Sequence, residues 1–309
     1  MPLRVRRSGL LAGRLGSRRL RGSETPLKGM HRILEYFTIK YKDMKIGIFD
    51  SGLGGLFVTK TLVKKLPQYD YVYLGDTQRV PYGNRSHEIV YQFLEEAVDY
   101  LFKHGCGLII VACNTASAEA LRRIQQEYLP AHYPKRKVLG IIIPTAEAAL
   151  KDPKIKRVGV LATQGTVSSG AYTRELKKIY PDVTAVQQSA PLLVPLIENN
   201  AVEFADPILR AYLRPLLKKN INVLILGCTH YPILKQHIQK ICGKGVKIIS
   251  SDAIISGKLA NYLQRHPEIE KGLSKNKRRE FFVTDITDAM KTLSKKWFGQ
   301  DIRFKRVSL

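Results

Sequence analysis

Long apolar runs are missing from this sequence. The longest fall far short of the roughly 18 residues that a membrane-crossing helix needs, so a helical membrane protein is excluded and no membrane partner is expected. Cysteine is scarce, with four in 309 residues (Cys106, Cys113, Cys228, Cys242) and no Cys-x-x-Cys pair. That count argues against a disulfide framework and favours a reduced, cytoplasmic setting with free thiols. Acidic residues are half as numerous as basic ones, 26 against 51. No zinc finger, RNA-binding aromatic motif, helix-turn-helix or lysine motif diagnostic of pyridoxal phosphate is present. No cofactor and no metal are expected.

The resulting net charge of +25 is uneven. Residues 1–43 hold 11 Lys and Arg against 3 Asp and Glu, and the remainder 40 against 23. The stretch from Leu3 to Arg21 is rich in Arg, Gly, Ser and Leu and lacks strong periodicity. It reads as a targeting segment or, preferably, as an over-extended gene start ahead of a folded protein beginning at Met30 or Met44. Elsewhere the lysines are scattered and form solvated faces, so nucleic-acid binding is not expected. A positive field also draws in small dianionic substrates, weakly at cellular salt.

Strand and helix patterns alternate. Strands are expected at 45–49, 71–74, 108–112 and 138–143, with helices at 56–66, 87–104, 116–128 and 146–150. A second series places strands at 157–161, 183–186, 223–226 and 246–250, with helices at 169–179, 207–218, 233–241 and 253–264. Such alternation argues α/β with parallel sheets and crossover helices. The series mirror each other. Lys45 to Gly52 resembles Arg157 to Gly165, and Asp50 precedes Cys113 by 63 residues where Ala162 precedes Cys228 by 66. Two copies of one unit explain both matches. The expected fold is two pseudo-symmetric three-layer α/β domains with mainly parallel sheets and the active site in the cleft between them.

Cys113 and Cys228 each close an apolar run and are followed by polar groups, Asn114-Thr115 and Thr229-His230. Ligands of open α/β sheets bind outside the carboxyl ends of the strands, so two such thiols can face one small molecule. An arbitrary strand-end cysteine is more often packing, the reading adopted for Cys106 and Cys242. Zinc at Cys228 and His230 lacks the usual ligand spacing. A Cys-His hydrolase leaves the second cysteine and the repeat unexplained.

Asp50-Ser51-Gly52-Leu53-Gly54-Gly55 stands between a strand and a helix. Its backbone N–H groups would suit a carboxylate, although as a lone feature it reads better as a tight turn with Asp50 capping the helix. It is not a dinucleotide fingerprint, because the third glycine would fall on Phe57. The polar loop from Gly75 to Asn84 reads equally as a lid or wall of the cleft or as a surface loop capped by Asp76. Glu198, near the end of an apolar segment, taken alone reads as a surface carboxylate.

From Lys45 onward the chain resembles the glutamate racemases of the aspartate/glutamate racemase superfamily. The matching stretches are Ile46 to Gly55, Asp76 to Gly83, Ala112-Cys113-Asn114-Thr115-Ala116, Ser169-Gly170-Ala171-Tyr172, Pro191 to Glu198, Leu226-Gly227-Cys228-Thr229-His230-Tyr231-Pro232 and Phe281 to Asp285. The resemblance implies that Cys113 and Cys228 are two catalytic acid/bases interconverting L- and D-glutamate, Cys113 acting on D- and Cys228 on L-glutamate. It implies that Asp50, Glu198 and His230 assist them. Asp50, Ser51, Tyr82, Gly83, Asn114, Thr115, Thr229 and His230 would contact substrate. It further implies one domain from 44–140 plus 253–309, a second from 141–252, a homodimer, and a supply of D-glutamate for peptidoglycan. Gln78 replaces the usual alanine, Glu198-Asn199-Asn200 the usual Glu-Glu-Gly, and Ser189-Ala190 precedes Pro191 where many members have a cysteine or small residue. None of these touches the thiols. An aspartate racemase on the same scaffold is the nearest alternative, and the Gly-Cys-Thr-His-Tyr-Pro segment favours glutamate. A nucleic-acid or protein-binding module, motivated by the charge, is the alternative of another class.

Overall fold

Strands that are apolar on both faces need cover on both, and parallel sheets with crossover helices supply it. The computed structural model of the chain describes residues 43–309; the basic tail, and the choice between the two accounts of it, lie outside the described residues. The strands are β1 Lys45–Asp50, β2 Tyr71–Gly75, β3 Cys106–Val111, β4 Lys137–Gly140, β5 Arg157–Ala162, β6 Thr184–Ser189, β7 Val223–Gly227, β8 Lys247–Ser250, β9 Arg279–Val283 and β10 Phe304–Arg306. They form a six-stranded sheet in the order β10-β9-β2-β1-β3-β4 and a four-stranded sheet in the order β6-β5-β7-β8. Every pairing in both is parallel. Strands β2, β3 and β7 are buried along their whole length. Each fully buried Ile or Leu in them is worth about 1.5–3 kcal/mol.

The repeat in the sequence is a repeat of topology. The orders β2-β1-β3-β4 and β6-β5-β7-β8 are one pattern twice, and β9 and β10 extend the first sheet beyond β2. In both copies the order reverses beside the first strand, between β1 and β3 and between β5 and β7. Such a switch point opens a crevice at the strands' carboxyl ends. Phe49 pairs with Val111 and Ala162 with Gly227. Ser51 and Cys113 therefore leave the first sheet side by side, as Thr163 and Cys228 leave the second.

Two expectations need correction. The strand expected at 138–143 ends at Gly140, and a helix, Ile142–Ala149, begins at once. An unbroken apolar run does not distinguish strand from helix, and Pro144 is at home in a helix's first turn. The single helix expected at 116–128 starts earlier, as Asn114–Glu119, because Cys113 caps it and its sulfur accepts from the Ala116 N–H. It breaks at Ala120 and continues through Leu121–Arg123 into a π-helical stretch, Ile124–Tyr128. A short α-helical segment, Leu129–His132, follows, with Pro130 in its first turn, where a missing N–H is tolerated. The sequence periodicity also passed over β9, β10 and the helix Asp288–Phe298. Among the described residues no helix is long and apolar enough to cross a membrane.

Candidate active site

The two cysteine turns meet at the seam between the sheets. Cys113 Sγ lies 3.3 Å from Ser51 Oγ and accepts from the Ala116 N–H at 3.5 Å. Burial, and then the Asp50 carboxylate, push this thiol up to about 12, against the weaker pull of the Ala116 and Ser51 hydrogen bonds. Cys113 therefore rests as a protonated thiol.

Cys228 has a different neighbour. Its Sγ lies 3.7 Å from His230 Nδ1, and His230 Nε2 lies 3.0 Å from Glu198 Oε1. Burial opposes charge on His230, but the hydrogen bonds and charges of Cys228 and Glu198 outweigh it and raise the pKa well above 6.5. Both partners thus favour a proton on the imidazole beside one of the two sulfurs. Trp297, from the helix Asp288–Phe298, covers its ring edge-on at 5.8 Å. Among the described residues there is no cluster of three or more His, Cys, Asp or Glu that could hold a metal.

Asp50 joins the two halves. Its Oδ2 accepts from the Gly52 N–H and its Oδ1 from the Thr229 hydroxyl, both at 3.1 Å. Burial raises its pKa, against the opposing pull of His230, the Gly55 and Gly52 N–H groups and Thr229. The Gly52 N–H of the glycine turn is thus directed at the chain's own carboxylate, while the helix that follows has Gly54 at its N-cap and no side-chain cap. The glycines serve close approach instead: a Cβ on Gly54 would stand 2.4 Å from Thr229 Oγ1. A matching link runs the other way, where Thr115 Oγ1 meets Thr163 Oγ1 at 2.9 Å.

A small cavity of about 20 Å³ lies between the turns. It is lined by Ser51, Tyr82, Gly83, Cys113, Asn114, Thr115, Cys228, Thr229 and His230, together with Val80, Pro81, Thr163 and Val194. Both sulfurs therefore face one space. Asp50 and Glu198 do not line it; they stand behind Thr229 and His230 as hydrogen-bond partners. The loop after β2 is a wall, as one of its two readings had it. Asp76, buried at its base, accepts from Arg79 Nε at 2.6 Å, from the Thr284 hydroxyl at 2.9 Å and from the Tyr82 hydroxyl.

The model of the Asp/Glu/Hydantoin racemase family matches residues 46–255. The chain belongs to the Asp/Glu/Hydantoin racemase family. A glutamate racemase of Geobacter metallireducens is 39% identical over 257 residues, covering 82% of this chain and 92% of that relative. The crystal structure of a Bacillus anthracis glutamate racemase superposes with a TM-score of 0.79 at 35% identity, covering 87% of this chain and 98% of that one. A Francisella tularensis glutamate racemase in complex with D-glutamate gives 0.77 at 32% identity, covering 86% and 98%.

As a member of that racemase family the chain is an isomerase. Residues that the sequence reading left without a role also stand at the site. Thr163 was legible in principle, because the internal repeat sets it opposite Ser51. Val80, Val194 and Trp297 carried no local signal, since apolar residues in a loop or helix look alike until packed. Cys106 is buried within β3 and pushed up to about 12 by burial, in keeping with packing.

Proposed function

We propose that this chain is a cofactor-independent glutamate racemase using two thiols. The observation that carries the reading is that Cys113 and Cys228, from equivalent strands of two like sheets, line one cavity. Racemisation needs the α-proton removed from one face of the carbon and another delivered to the opposite face. A single base would return the proton where it came from.

In the L-to-D direction the thiolate of Cys228 takes the α-proton and becomes a thiol. The electron pair left on carbon spreads into the carboxylate. The thiol of Cys113 then gives its proton to the opposite face, yielding D-glutamate and a Cys113 thiolate. The reverse direction exchanges the roles. Two observations support this assignment of roles: burial and Asp50 hold Cys113 protonated, and His230, whose proton is favoured by its partners, stands 3.7 Å from Cys228 Sγ. An α-carbon is a far weaker acid than a thiol, so most of the barrier is the carbanion. Fixed donors in a water-poor site are the usual means of lowering it, and Ser51, Thr115 and the Tyr82-Gly83 segment supply them here. Asp50, Glu198 and His230 orient and charge the thiols' surroundings.

The two sheets support a first unit of 44–140 plus 253–309 and a second of 141–252, since β9 and β10 return to the first sheet. The similarity to glutamate racemases supports glutamate over aspartate; the reading further takes the chain as a cytoplasmic homodimer that delivers D-glutamate to peptidoglycan in a bacterial cell.

Incubation with L-glutamate in D₂O, with no cofactor added, tests the reading. Circular dichroism should decay to zero while NMR shows deuterium at the α-carbon. Because the enantiomers have equal free energy, kcat/KM must be the same from either one, however unlike the two thiols are. No loss of optical activity, or faster turnover of aspartate, would overturn the proposal.

A further inference from the structure

An asparagine amide has two ends of similar size and opposite hydrogen-bonding character. Which end faces a ligand decides what the site can bind. Asn114 follows Cys113, is 2% exposed, and lines the cavity. Its Oδ1 accepts from the Tyr172 hydroxyl at 2.8 Å. Its Nδ2 is buried with no hydrogen-bond partner. A buried donor left empty costs about 1–3 kcal/mol, which a ligand acceptor would recover.

Tyr172 is itself fully buried, on the helix Ala171–Ile179 of the four-stranded half. Its ring packs on the other cysteine turn as well. A Cβ on Gly227, the residue before Cys228, would stand 3.3 Å from Tyr172 Cε2. One side chain thus holds the residue after the first cysteine and presses on the residue before the second.

We infer that Tyr172 is a positioning residue of the substrate site: its hydroxyl fixes the Asn114 amide with nitrogen toward the cavity, where it donates to a carboxylate of the bound amino acid, and its ring fixes the turn of Cys228. The inference rests on the glutamate reading in taking the substrate as a carboxylate. Neither tyrosine nor amide exchanges protons with the substrate. Tyr172 acts through Asn114.

The test is a double-mutant cycle with Tyr172→Phe and Asn114→Ala, and Asn114→Asp beside it. Tyr172→Phe keeps the ring and frees the amide to turn. KM for both enantiomers should rise about 10-fold, the worth of one buried hydrogen bond, with kcat held within about 2-fold, as for contacts made equally in ground and transition states. In the Asn114→Ala background the same change should cost less than about 2-fold, because residues acting as a unit are not additive. Asn114→Asp should bind glutamate more weakly than Asn114→Ala, since a carboxylate would then face a carboxylate. An undiminished Tyr172→Phe loss in the Asn114→Ala background, unchanged kinetics in Tyr172→Phe alone, or Asn114→Asp binding as well as wild type would each overturn the inference. Thermal melts check folding, and the two Asn114 variants carry the test should Tyr172→Phe not fold. Wild-type turnover of glutamate is a separate control: its failure would end the functional reading, whereas the comparison among variants bears on Tyr172 alone.

Discussion

Thr229 donates its hydroxyl to Asp50 at 3.1 Å across 179 residues of chain. The residue beside one cysteine is tied to the strand end of the opposite sheet. Thr115 and Thr163 make the corresponding link in the other direction. Each thiol is thus positioned by both halves, and a disturbance in either half reaches both.

Replacing either thiol should stop racemisation. Cys113→Ser and Cys228→Ser should each lower kcat/KM by about 10³-fold or more, within the range for losing a general acid or base. With a substrate carrying a β-leaving group, Cys113→Ser should still eliminate from the L-form and Cys228→Ser from the D-form. Both single variants racemising at the wild-type rate would refute the two-base scheme.

Glu198→Gln should show its effect through pH. His230 has a folded pKa well above 6.5, maintained against burial by Cys228 and Glu198. A proton held more tightly in the fold than in the unfolded chain contributes stability that is complete below pH 6.5. That contribution fades as pH rises through the folded value. The variant should be less stable than wild type near pH 6, by about 1 kcal/mol, and the gap should narrow toward alkaline pH. The alkaline limb of kcat/KM should move to lower pH. Denaturant melts across a pH series would check this, and a pH-independent gap would count against it.

Gly54→Ala should pry the two turns apart. The added Cβ would meet Thr229 Oγ1 at 2.4 Å, His230 Nδ1 at 2.8 Å and the Thr229 backbone at 2.9 Å. Backbone cannot swing aside as a flexible side chain does. A stability loss of about 1–3 kcal/mol is expected for such overpacking. A misplacement of about 1 Å at reacting groups can cost about 10²-fold in rate. Wild-type activity in a stable Gly54→Ala protein would show that the turns have slack.

Asp76→Asn should loosen the cavity wall. The buried carboxylate gathers Tyr82, Arg79 and Thr284, and losing its charge leaves Arg79 poorly matched. Breaking a buried pair of this kind costs about 3–5 kcal/mol. The partial exposure of Arg79 puts the expectation at the lower end or below. A lower melting temperature and a raised KM for glutamate would be seen together, because Tyr82 lines the cavity. An unchanged KM would separate Asp76 from the substrate site.

The sheets were legible because their strands are continuous apolar runs ending in small or polar residues. The internal repeat was legible as well, and it is what made two distant cysteines one hypothesis. β10 was not: it is a three-residue strand ending Phe304-Lys305-Arg306 and half-exposed, so no alternation could develop. The helix after Cys113 was misjudged because its cap is a sulfur, which no capping rule anticipates. At the site, motif residues announced themselves by their company, whereas Thr163 needed the repeat and Trp297 needed packing. The role of Asp50 turned on geometry, since a glycine turn looks the same whether it receives a ligand or its own carboxylate.

The space between the sulfurs holds about one water molecule, and a dicarboxylic amino acid is many times larger. Entry therefore requires the walls of this space to move apart, whether the loop from Gly75 to Asn84 or the turns that the threonine links align. Measured affinity will be the intrinsic affinity scaled by the fraction of molecules open at a given instant. Substitutions that weaken the links without touching the substrate should speed capture and slow chemistry, so that uptake and turnover pull in opposite directions.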